Sequence, residues 1–117
     1  ATRLAKLEID LENMKTTNLR VIAAVAGGGV PGAESSMLKI RGTEIRQEIL
    51  SLIRRAMGPY ALPFSEAAQY EGYADEPVGP KEAATAAANY FNYRKLSIFG
   101  GSNEIQKNII SKMILGL

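Results

Sequence analysis

Cysteine and histidine are both absent from the 117 residues. Without cysteine there is no disulfide, no thiolate nucleophile and no sign of an oxidising compartment. Without histidine the chain lacks the commonest metal ligand and the commonest acid–base side chain. No apolar run is long enough to span a bilayer, and no signal peptide is recognisable. Basic blocks are missing too. The 14 basic and 12 acidic residues leave a net charge of +2. Arg54–Arg55 is only a pair, and no aromatics interleave with a basic stripe, so the footprint of nucleic-acid binding is lacking. What remains, 46% hydrophobic and 22% charged, is the ordinary balance of a soluble globular domain with a single core.

The apolar residues recur at helical intervals. Leu4, Leu7, Leu11, Met14, Leu19, Ile22 and Val25 predict a helix over residues 2 to about 26, roughly 37 Å long at 1.5 Å per residue. Gly27, Gly28 and Gly29 end it, and Pro31 or Gly32 opens the next helix. That second helix runs to Met57, with Met37, Ile40, Ile45, Ile49, Leu52, Ile53 and Ala56 as its stripe. Gly42 inside it reads either as close approach of another group or as tolerated slack. Gly58–Pro59 is a stop. Two long antiparallel helices joined by a short glycine-rich turn are the core of an up-down helical bundle.

Residues 58 to about 80 read as loop, with Pro59, Pro63, Pro77 and Pro80. Tyr60, Phe64, Tyr70 and Tyr73 need somewhere to pack. The expectation is an ordered loop wrapping a bundle end or a neighbouring subunit, against the alternative of partial disorder. Lys81 to about Lys95 is a third helix, rich in alanines that favour helix and permit tight packing. The fold class is therefore all-α: two long helices plus two shorter ones, in one domain over residues 1–117.

The last stretch, Ile98 to Leu117, reads I-F-G-G-S-N-E-I-Q-K-N-I-I-S-K-M-I-L-G-L. Gly100 and Gly101 allow a sharp turn and close approach. Either Ser102 or Asn103 can cap the helix that follows, and Asn103 with Gln106 has capping-box spacing. Ile105, Ile109, Ile110, Met113 and Ile114 recur at helical intervals in that helix, about Asn103 to Leu115, and the tail Asn108 to Leu117 reads as core. A helix N-terminus suits an anionic or electron-rich ligand, although a plain helix–helix connection has the same pattern.

The string I-F-G-G-S-N-E-I-Q-K-N-I-I resembles the C-terminal signature of the acyl-CoA dehydrogenase family. N-Y-F-N-Y-R-K-L-S and S-M-L-K-I-R-G-T-E-I fit the same family, so the likeness runs over essentially the whole chain. It implies the C-terminal helical part of a longer FAD-dependent enzyme that introduces a double bond beside an acyl-CoA thioester. The start at Ala rather than Met fits a trimmed product or an excised domain, and equally Met removal before Ala.

By resemblance, Ser102, Asn103 and Glu104 contact the FAD and Gly101 passes close to the substrate. The catalytic base of many relatives follows the motif's aromatic residue, where this chain has Gly100 after Phe99. Gly100 cannot take a proton, so no catalytic residue is assigned, and the base is expected upstream of Ala1. Glu104 is favoured in a first helical turn by the dipole alone. The Gln-x-x-Gly-Gly flavin segment of relatives falls at Arg55–Pro59, which keeps only Gly58. In relatives that segment reaches the flavin of a neighbouring subunit, which implies a homo-oligomer, dimer or tetramer. The implied compartment is the cytoplasm, or the mitochondrial matrix in a eukaryote. The isolated chain is expected to be inactive and to hold FAD weakly. A stand-alone helical oligomerisation module is the alternative from another class, and a related oxidase or monooxygenase a further one.

Overall fold

The computed structural model describes residues 1–63, 66, 69–70 and 79–117. The fold is all-α: four α-helices and no strand among the described residues. They are α1 (Thr2–Ala26), α2 (Glu34–Met57), α3 (Ala83–Asn92) and α4 (Asn103–Ile110). Short 3₁₀ turns lie at Gly58–Ala61 and Tyr93–Ser97, and Ser111–Leu115 is a π-helical turn. The expected wrapping of the 58–80 loop, with Phe64 and Tyr73, lies outside the described residues. Tyr60 and Tyr70, which are described, are exposed.

Two compact units divide the chain: Ala1–Arg46 with Lys95–Leu117, and Gln47–Arg94. In the first, α1 and the start of α2 form an antiparallel hairpin. Asp10 meets Arg41 at 3.3 Å, while Thr17 and Met37 line one groove farther toward the turn. Rising numbers on α1 thus face falling numbers on α2. The turn follows from the glycines. Gly27 donates to Ala23 O, Gly29 to Ala24 O, and Gly28 adopts φ +92°, which only glycine takes without strain. The second helix starts at Glu34 rather than at Gly32. Ser35 donates to Gly32 O and Ser36 to Ala33 O, so one tight turn precedes it.

The stripe on α1 is narrower than its apolar residues suggest. Leu7 is buried and Leu11, Met14, Thr17 and Val21 are half-buried. Leu4, Leu19, Ile22 and Val25 are exposed, Leu19 by 65%. Leu19 is two residues from both Thr17 and Val21, about 200° round the helix at 100° per residue. Ala33, just before α2, and Ser36, Ile40 and Thr43 on it make a buried line with helical spacing. Two of these are polar and therefore missing from a stripe read on hydrophobicity. Thr43 is accommodated because its hydroxyl donates to Lys39 O at 2.7 Å. Met37, Ile53 and Ala56, expected on the stripe, are exposed.

The second unit holds the rest of α2, the Gly58–Ala61 turn and α3. Gly58 takes φ +56° and Pro59 opens the 3₁₀ turn, so the stop at Met57 is where the sequence puts it. Ala61, Ala83 and Ala86 are its most buried side chains, and α3 packs against the turn. Tyr90 lies under the Arg54 guanidinium at 4.6 Å and meets the edge of Phe91 at 5.1 Å. Gln47 Nε2 donates to Tyr93 O and Arg94 O at 3.3 and 3.2 Å. The third α-helix is shorter than Lys81–Lys95. After Asn92 the winding tightens to 3₁₀, a common way to satisfy the last carbonyls of a helix.

Candidate functional site

The first unit carries the glycine turn. Lys95 O accepts from both Ile98 N and Phe99 N at 2.9 and 3.0 Å, closing the 3₁₀ segment. Gly100 and Gly101 then take φ +68° and +84°, two left-handed residues in a row that no L side chain occupies without strain. Both are exposed. A Cβ on Gly100 would meet nothing within 4 Å, whereas one on Gly101 would lie 2.6 Å from Gln106 Nε2. The turn is thus open on one side and roofed by Gln106 on the other.

Ser102, in extended backbone, is the N-cap of α4: its Oγ accepts from Ile105 N at 3.3 Å. The Asn103–Gln106 capping box does not form. Gln106 Nε2 instead reaches back over the turn to Gly100 O at 3.4 Å. Asn103, the first helical residue, accepts from Lys39 Nζ at 2.8 Å through its Oδ1. Glu104 is exposed in the first turn. The N–H groups of Asn103 and Glu104 open the helix and have no carbonyl one turn back.

Ser102, Asn103, Glu104 and Gly101 therefore sit together at one helix start, as their adjacency requires. Lys39 was not visible as a site residue in the sequence, since 64 residues separate it from Asn103 and a single lysine on a helix is ordinary. The tail of α4 differs from expectation. Ile109 and Ile110 are half-buried, but Met113 and Ile114 are 62% and 61% exposed, so this part of the tail is not core within the unit. Its winding loosens to π after Ile110 and ends where Gly116 takes φ +69°. Phe91 is also exposed.

The sequence model of one known family, described as acyl-CoA dehydrogenase, C-terminal domain, matches residues 1–115. The chain belongs to this family. Its match covers both units and ends two residues short of Leu117. No curated protein and no solved structure matches the chain. Acyl-CoA dehydrogenases are oxidoreductases and generally FAD-dependent. The turn fits such a group in donor chemistry. It offers an open backbone at Gly100, free helix-start N–H groups and a nearby ammonium, all of which favour an electron-rich or anionic ligand. Among the described residues no acidic cluster suits a metal ion. No helix there is long and apolar enough to cross a membrane.

Proposed function

We propose that the chain forms a flavin-contacting edge and a subunit-packing surface of an FAD-dependent acyl-CoA dehydrogenase. The observation that carries this reading is the exposed pair of left-handed glycines running directly into a capped helix N-terminus. When bound, FAD accepts the hydride that leaves an acyl-CoA as the proton alpha to its thioester is removed. Ser102, Asn103 and Glu104 would hold the flavin, the first by fixing the helix start and the other two by their backbone N–H groups. Gly101, by the family resemblance, would pass close to the acyl-CoA. Gly100 supplies no base, and the exposed Glu104 is spoken for by the helix dipole, so proton removal is assigned to no residue of this chain. The isolated chain is accordingly inactive.

The exposed apolar residues support the assembly part of the reading. Leu19, Ile22, Met113, Ile114 and Leu115 are more than half exposed, and apolar surface of this kind marks contacts with further protein. A dimer or tetramer of the chain fits.

The flavin part is tested by titrating FAD fluorescence with wild-type chain and with Gly101→Val. The substitution forces a side chain against Gln106 and into strained backbone. Quenching by the wild type that is lost in the variant, at unchanged helical circular dichroism, is the expected result. Identical titrations would sink the reading.

A further inference from the structure

We infer that Lys39 is a positioning residue for the Gly100–Glu104 turn, holding the start of α4 so that its hydrogen-bond donors face one ligand. The flavin part of this inference rests on the function proposed above. Lys39 Nζ donates to Asn103 Oδ1 at 2.8 Å in a half-buried setting. One turn further along α2, the Thr43 hydroxyl lies 3.4 Å from Leu96 O. One face of α2 therefore holds the chain just after the two glycines through Lys39 and lies beside it just before them at Leu96.

The turn needs such an anchor. Two consecutive glycines have the largest conformational freedom of any pair, and both are exposed. The local closures are long: 3.4 Å from Gln106 to Gly100 O and 3.3 Å for the Ser102 cap. A hydrogen bond from an ammonium is roughly twice as strong as a neutral one, so the Lys39 bond dominates.

It also sets polarity. With Oδ1 engaged by Lys39, the remaining polar end of the Asn103 side chain is its Nδ2, a donor. That donor joins the backbone N–H groups of Asn103 and Glu104. Removing the ammonium frees Oδ1 to turn an acceptor toward an electron-rich ligand, the wrong sign for the site.

The experiment is amide exchange by NMR on the ¹⁵N-labelled chain, comparing wild type with Lys39→Met, Lys39→Arg and Asn103→Asp. Lys39→Met should speed exchange at Ile105 and Gln106, whose amides donate to Ser102 Oγ and Ser102 O, by about tenfold, the effect of losing one charge-assisted bond. Amides of α1 should not change. Lys39→Arg keeps a charged donor and should restore protection, and Asn103→Asp should match or exceed the wild type. Unchanged exchange in Lys39→Met, or equal acceleration throughout the unit, overturns the inference. The same samples are then titrated with FAD. Flavin-induced shifts at Gly101 to Glu104 that vanish in Lys39→Met and return in Lys39→Arg support the flavin part; equal shifts in all variants overturn it. No shift at those amides even in the wild type defeats the proposed function itself, while the exchange rates still decide whether Lys39 positions the turn.

Discussion

The sulfur of Met14 lies 3.5 Å from the point where a Cβ on Gly42 would sit. That is ordinary van der Waals contact, so the hairpin has room for one methyl group and no more. Gly42→Ala should therefore stabilise the chain by about 0.5–1 kcal/mol, through lower backbone entropy in the unfolded state and better helix propensity. Gly42→Leu should destabilise it by about 1–3 kcal/mol, the usual cost of overpacking. Urea denaturation of both variants measures the two signs. Destabilisation by alanine would show that α1 and α2 pack more tightly than this distance allows.

The Ser102 side chain caps the start of α4 by accepting from Ile105 N. Ser102→Ala should cost about 1 kcal/mol, and the loss should concentrate in α4. Ser102→Asp keeps an acceptor, adds a favourable charge at the helix start, and should hold wild-type stability. Thermal melts followed by circular dichroism test both. An alanine variant indistinguishable from wild type would mean that the Lys39 bond alone holds the helix start.

Much of this was legible in the sequence. Gly27–Gly29, Gly58–Pro59 and Gly100–Gly101 mark breaks that depend on local backbone chemistry, so they fall where expected. The side of each helix that is buried was less legible. Hydrophobicity put Leu19 and Ile22 on the buried stripe and left Ser36 and Thr43 off it. The burial of Thr43 depends on a hydroxyl bonding its own helix. That bond is not encoded in a hydrophobic period. The glycine turn and the helix start after it were read from the motif, whereas the Lys39–Asn103 contact required the fold to bring residues 39 and 103 together.

The exposed side of α1 carries the next prediction. Leu19 and Ile22 are 65% and 55% exposed, three residues apart and so on neighbouring positions of the helix surface. The isolated chain should self-associate, and the pair Leu19→Glu with Ile22→Glu should shift it toward monomer without loss of helix. Multi-angle light scattering across a concentration series reads this directly. A monodisperse wild-type monomer would contradict it.

The glycine turn is open: both residues are exposed, and nothing lies within 4 Å of a Cβ on Gly100. A ligand held from one side keeps much of its surface in water and forgoes most of the affinity of an enclosed pocket. The chain by itself should therefore bind FAD weakly and lose it on gel filtration. Flavin absorbance co-eluting in stoichiometric amount would show an enclosure that the turn does not provide.

The most direct measurement is photolabelling of the chain with 8-azido-FAD, followed by tryptic digestion and mass spectrometry. Cleavage after Lys95 and Lys107 releases Leu96–Lys107, the peptide that contains the whole turn. The account predicts label in this peptide, suppressed by excess unmodified FAD and reduced in Lys39→Met. Label confined to other peptides, or label that excess FAD does not displace, would contradict the assignment of the Gly100–Glu104 turn to the flavin.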